Sequence, residues 1–162
     1  MQAEAVQFLD PGELVDGELR LELRRTFKGS RSLNLAPNYA FVMRHAETGA
    51  RMGDIDLRLS GERYITHYAG HIGYGVDKAY RGHGYAARAC RLLLPLAQAH
   101  GLEPLWITCN PDNVPSRKTC ERLGATLEEI VAVPPGSDIY RRGEHEKCRY
   151  RVDVGRLLAG AT

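Results

Sequence analysis

The stretch YRGHGYAARACR, residues 80–91, decides how this chain is read. Gly82, Gly84 and Ala86 alternate in it, Arg81 stands before them, and a long Ala/Leu run follows. A glycine at the mouth of a helix costs up to about 1 kcal/mol of helix propensity. A glycine-rich turn between a strand and a helix offsets that cost by exposing a row of backbone N–H groups at the positive end of the helix dipole. A phosphate or pyrophosphate suits such a turn. A tight loop without a ligand is the other reading of the turn taken alone. No Lys-Ser/Thr pair follows the glycines, so this is no P-loop, and the GxGxxG spacing of a dinucleotide fold is missing.

Working outward, HYAGHIGYGV (67–76) reads as the strand that feeds the turn, and residues 85–100 as the helix that leaves it. Gly101 suits that helix's C-terminal cap. Pro95 inside it predicts a kink, since a proline there costs about 3 kcal/mol. Upstream, ELRLELRRTF (18–27) alternates leucine with charge, and 39–45 and 51–60 read as two strands joined by a turn at 47–49. In 51–60, Ile55, Leu57 and Leu59 share one face and Asp54, Asp56 and Arg58 the other. Within 67–76 the same alternation pairs Tyr68 with Tyr74 and His67 with His71. Downstream come a strand at 105–110, a helix at 116–124 with Ser116 near its start, and closing strands at 125–133 and 147–154, separated by a polar loop. Residues 1–17 read as a loose lead-in to one domain spanning 1–162, and 28–38 as a loop. The order of four strands, helix, strand, helix and two strands describes an α/β (α+β) fold with helices packed on a central sheet.

Composition narrows the function classes. The chain has 162 residues, 43% hydrophobic and 26% charged, with net charge +2. That is ordinary for a soluble domain and too near neutral to point to nucleic acid or a membrane surface. Basic clusters at 24–31 and 141–151 read as solvated faces. No run reaches the ~18 apolar residues of a membrane span. MQAEAVQFLD lacks the basic and apolar regions of a signal peptide. Cys90, Cys109, Cys120 and Cys148 form no CxxC pair and read as reduced thiols of a cytoplasmic protein, and no metal site is expected.

Arg81-Gly82-His83-Gly84-Tyr85-Ala86 resembles the Arg/Gln-x-x-Gly-x-Gly/Ala signature of the GNAT N-acetyltransferase superfamily. The run Asn110-Pro111-Asp112-Asn113-Val114-Pro115-Ser116, followed by Glu121-Arg122-Leu123-Gly124-Ala125, looks like that superfamily's second motif. The resemblance covers roughly 39–154, and the series GHIGYGV, YRGHGYAAR and WITCNPDNVPSRKTCERLGA looks like a bacterial branch of it. It implies a central mixed, mostly antiparallel sheet flanked by helices. It also implies acetyl-CoA or a related acyl-CoA as donor, and an amine, small molecule or protein, as acceptor. The backbone of Arg81, Gly82, His83, Gly84, Tyr85 and Ala86 would hold the pyrophosphate. Gly75 and Val76 would pair with pantetheine and polarise the thioester carbonyl, the Val76 backbone acting as an oxyanion donor. Asn113 and Ser116 would contact the pantetheine or adenosine-phosphate arm, or serve as an Asx turn and an N-cap, roles that do not exclude each other.

The chain departs from the family in three places. The tyrosine that serves the family as general acid is replaced by Cys120, a thiol that could protonate the leaving thiolate or simply pack in the core. The positions of the family's glutamate bases fall at Thr108 and near Gly70. Tyr74 is the other side chain placed near the chemistry. The family's first two helices, which roof the acceptor site, do not fit into 28–38. The acceptor side is therefore expected to be open, or closed by the 134–146 loop or by a second subunit in a homodimer, and to suit a bulky acceptor. Direct attack of an amine on the thioester is the leading mechanism. A CoA-binding regulatory or sensor module with little catalysis is the alternative that the missing acid and base favour.

Overall fold

The computed structural model describes residues 6–160, so the first five residues of the expected lead-in lie outside the described residues. The strands are β1 (Leu14–Asp16), β2 (Leu19–Phe27), β3 (Asn38–His45), β4 (Arg51–Arg58), β5 (Ile72–Val76), β6 (Leu105–Cys109), β7 (Thr126–Ala132) and β8 (Glu146–Val152). The helices are α1 (Tyr85–Ala99), α2 (Val114–Leu123), α3 (Asp138–Arg141) and α4 (Val154–Ala159). The expected sheet is divided in two. One has five antiparallel strands ordered β1-β2-β3-β4-β5, the other three ordered β6-β8-β7.

Alternation puts Leu19, Leu21, Phe41, Met43, Ile55 and Leu57 on one face, where they are buried against Cys90, Leu93, Leu94 and Ala97 of α1. Burying these side chains stabilises the fold by roughly 1.5–3 kcal/mol each. The opposite face of the five strands carries Glu22, Arg44, Asp54, Asp56 and Arg58, while α1 contacts β1, β2, β4 and β5. Residues 28–37 form a loop closed by a Ser30–Leu35 bridge, with no helix, as their length requires.

Four local expectations are corrected. The lead-in is not loose throughout, because β1 pairs with β2 and the Leu9 N–H donates to the buried Tyr39 hydroxyl. α1 runs unbroken past Pro95, which lies on the solvent side, where water can take the freed carbonyl. Asn113, not Ser116, caps α2: its side-chain oxygen accepts the Ser116 N–H at 3.2 Å. The strand expected over 67–76 begins only at Ile72, because Tyr64–Ala69 is a wide helical turn.

Distant residues hold that turn. Arg58 donates to the carbonyls of Ala69 and Gly70, Arg149 to that of Thr66, and the Thr108 hydroxyl to that of Tyr68. Its carbonyls are thus satisfied without a strand partner. Gly70 ends the turn at φ +78°, in the left-handed region. His67 and Tyr68 are therefore not on a strand face with His71 and Tyr74.

His71 is a buried strut instead. The Trp106 N–H donates to its Nδ1 at 2.9 Å, so Nε2 carries the proton and donates to the Ser60 carbonyl at 2.9 Å. Burial, first, and the Arg58 charge hold its pKa below the ordinary histidine value. Burial likewise lowers His100, whose Nε2 lies 2.6 Å from the Tyr39 hydroxyl. Both are neutral in the folded protein, so the stability they contribute is complete above the unfolded histidine pKa of about 6.5. It is lost as pH falls through the lowered folded values. Thermal unfolding from pH 8 to 5 is expected to show a falling Tm that begins near pH 6.5. A Tm flat to pH 5 would rule out both struts.

Candidate functional site

The two sheets meet at one point and then part. The His71 N–H donates to the Trp106 carbonyl at 2.7 Å, joining the start of β5 to β6. Beyond it, Gly73, Tyr74, Gly75 and Val76 on one side and Thr108, Cys109 and Asn110 on the other line a cleft of about 720 Å³. The register of β5 on β4, with Arg58 N donating to His71 O and Asp77 N to Met52 O, turns odd-numbered residues toward β4. Tyr74 and Val76 therefore aim their N–H groups into the cleft, while Gly75 spends its own on β4. The Val76 carbonyl accepts from Arg81 Nε at 2.9 Å, which ties the turn back to the strand.

The glycine turn forms one end of the cleft. Gly82 (φ +85°) and Gly84 (φ +74°) are both left-handed, which is why glycine stands there. A side chain at Gly82 would meet nothing, so the requirement is conformational rather than one of space. Gly84 caps α1, leaving the N–H groups of Tyr85, Ala86 and Ala87 without helical acceptors. Arg88 anchors this first turn of α1 through Asp16 and Glu18. The Arg88 hydrogen bond, first, holds the Glu18 carboxyl down at about 2.

Tyr74, Gly75, Val76, Arg81, Gly82, Gly84, Tyr85, Ala86, Asn113 and Ser116 all line the cleft. His83 and Cys120 do not: His83 is exposed, its ring 5.7 Å from that of Tyr85. Cys120 is fully buried in the core, and burial, first, lifts its thiol far above the ordinary range. Its side chain interacts with that of Tyr74, which does line the cleft. Tyr74 stands between Cys120 and the cleft wall at Ser116. Its hydroxyl lies 2.6 Å from Ser116 Oγ, and burial, first, raises its phenol so that it stays protonated. The pair can pass a proton but cannot act as a base.

Several cleft residues escaped the sequence reading. Lys118 and Arg122 lie one turn apart on α2, and the Arg122 guanidinium reaches within 3.8 Å of where a side chain at Gly84 would begin. Their i, i+4 spacing was the available signal. Glu144, from the end of the loop before β8, and Lys147, near the start of β8, line the cleft. Lys147 Nζ donates to Glu144 Oε1 at 2.7 Å and to Asn110 Oδ1 at 2.8 Å. Burial raises Glu144, yet its hydrogen bond to Lys147 and the Lys147 and Arg142 charges outweigh this and hold it low. The loop expected at the acceptor side does reach the cleft. Among the described residues, no three His, Cys, Asp or Glu side chains converge as metal ligands, and no helix is long and apolar enough to cross a membrane.

A family model, described as acetyltransferase (GNAT) domain, matches residues 2–126. No curated protein matches the sequence significantly. Among solved structures, RimL, the ribosomal L7/L12 alpha-N-protein acetyltransferase, matches with TM-score 0.55 at 17% identity, over 72% of this chain and 70% of that one. An acetyltransferase (GNAT family) from Bacillus anthracis matches with TM-score 0.57 at 20% identity, over 72% of this chain and 66% of that one. The microcin C7 self-immunity acetyltransferase MccE, in complex with acetyl-CoA and AMP, matches with TM-score 0.55 at 19% identity, over 70% of this chain and 59% of that one. At these identities the likeness is one of fold, and the chain spans between 59 and 70% of the length of these structures.

Proposed function

The chain belongs to the GNAT acetyltransferase family, and on that premise we propose that it transfers an acetyl group from acetyl-CoA to an amine by direct attack of the amine on the thioester. The carrying observation is the cleft where β5 leaves β6. It has an unpaired strand edge along one wall and a left-handed glycine turn at its end. A pantetheine chain carries amides that can pair with such an edge, and a pyrophosphate suits the free N–H groups of the turn. Lys118 and Arg122 add positive charge beside it. Asn113 supports the same wall by capping α2.

The residues divide the chemistry. Val76 and Tyr74 present N–H groups to the thioester carbonyl, and one such donor is worth about 2.7–4 kcal/mol at the transition state. The Ser116–Tyr74 pair hands a proton to the departing thiolate. A cytoplasmic setting, where the four free cysteines stay reduced, fits this reading. The test is calorimetric titration with acetyl-CoA together with thiol release over a panel of amines. Binding with turnover is expected. Binding without release on any amine would favour the regulatory CoA-binding module, which the missing family tyrosine suggests. Absence of binding would sink both.

The cations give a separate check. Lys118→Ala and Arg122→Ala are each expected to weaken acetyl-CoA binding by about 1.5 kcal/mol, roughly tenfold, if they pair with phosphate oxygens. The loss should shrink as salt rises. An unchanged Kd in both variants would place the phosphates elsewhere.

A further inference from the structure

We infer that the acceptor is an amino acid, an amine with a carboxylate a few atoms from its nitrogen, and that Arg58 holds that carboxylate at the edge of the cleft. The inference deepens the acetyl-transfer reading above and rests on it. Three observations carry it. The first is where Arg58 lies. Gly73 lines the cleft, and its backbone is not left-handed, so no conformation demands glycine there. A side chain at 73 would begin 2.5 Å from Arg58 Nη2 and 3.3 Å from its Cζ. Glycine therefore leaves room for the guanidinium against the strand. The next residue is Tyr74, which turns its ring to the opposite face and its hydroxyl to Ser116. Arg58 and the proton-donating pair thus flank the place given to the thioester from opposite sides. A carboxylate on Arg58 leaves an amine only a few bonds away beside Tyr74.

The second observation is what Arg58 has left to offer. Its Nη1 donates to the carbonyls of Ala69 and Gly70, each at 3.0 Å, which fixes the guanidinium in place. Among the described residues, Nε and Nη2 make no hydrogen bond, and neither is sealed from solvent. These two nitrogens form one edge of the guanidinium fork. A carboxylate meets such an edge with two parallel hydrogen bonds.

The third is charge. Arg58 is half-buried, and no carboxylate among the described residues lies within ion-pair distance of it. Asp56 attracts it from further off, and Arg142 repels it. On the other wall Arg142 and Lys147 hold Glu144 between them. Lys147 keeps one N–H beyond those given to Asn110 and Glu144. Three cations thus stand against two carboxylates. A half-buried cation without a partner is costly, and a carboxylate on the acceptor would supply the missing charge.

The test compares amino acids with their own carboxamides, which keep the amine and lose the negative charge. Thiol release from acetyl-CoA is followed with the common α-amino acids and β-alanine, each against its amide, and with n-butylamine. At least one acid is expected to exceed its amide by about 10- to 10²-fold in kcat/KM. In Arg58→Gln that preference should fall to near one, chiefly through the KM for the acid. Arg58→Lys, which keeps the charge without the fork, should retain part of it. Because Arg58 also holds the wide turn, Gly73→Ala is the second variant. It removes no polar group but displaces the guanidinium, and it should lower the same preference. Equal rates with acid and amide, or release with butylamine alone, overturn the amino-acid class. An equal proportional loss on acid and amide in the variants overturns the role of Arg58. Either result leaves acetyl transfer standing. Absence of thiol release by the unaltered protein with every amine overturns the transfer reading, and this inference with it.

Discussion

Changing Tyr74 to phenylalanine is expected to lower kcat about 10²-fold, with little change in the KM for acetyl-CoA. The hydroxyl is 2.6 Å from Ser116 Oγ and is kept protonated by burial, so its ordinary state is that of a donor. Phenylalanine keeps the ring and its packing but removes the hydroxyl that pairs with Ser116. Ser116→Ala should cost a similar factor, because it removes the other member of the same pair. The double variant should be no worse than the poorer single one, since residues that act as a unit are non-additive. Additive losses would mean that the two groups act independently. Unchanged kcat in both single variants would remove them from the chemistry.

Changing Gly53 to alanine is expected to destabilise the protein by about 3 kcal/mol and to weaken acetyl-CoA binding at least tenfold. Gly53 sits across from Val76. A methyl group there would overlap the Gly75 carbonyl oxygen and lie 3.0 Å from Val76 Cα. Both obstacles are backbone, so no side chain can swing aside. The end of β5 must move, and the Val76 N–H moves with it. For a chain of this length the stability loss corresponds to a fall in Tm of roughly 6–12 °C. Gly61→Ala is the control: nothing lies within 4 Å of the added atom, and its φ is not left-handed. It should stay within about 0.5 kcal/mol of the parent. If the two substitutions behaved alike in thermal melts, the close approach of β4 and β5 at Gly53 would be disproved.

The parts of this fold legible in sequence are those with local causes. The turn at 80–86 could be read because left-handed glycines and the dipole of the helix behind them depend on neighbours in the chain. α1 and its stop at Gly101 (φ +72°) were legible for the same reason. The wide turn at Tyr64–Ala69 was not. Its residues alternate like a strand, and the donors that satisfy its carbonyls, Arg58, Thr108 and Arg149, come from elsewhere in the chain. Cys120 shows the same limit at the site. Its place in the motif suggested chemistry, but which face of α2 is buried depends on what packs against that helix.

The sequence by itself determined the order of the longer strands and helices and the glycine turn at 80–86, because propensity, periodicity and positive φ are properties of short segments, while β1, α3 and α4 escaped it. Only the tertiary structure decided that β5 separates from β6 after His71 and that Tyr74 reaches Ser116. Each of these depends on which distant groups have already used their donors, acceptors and charges. That accounting is complete only when the chain has folded.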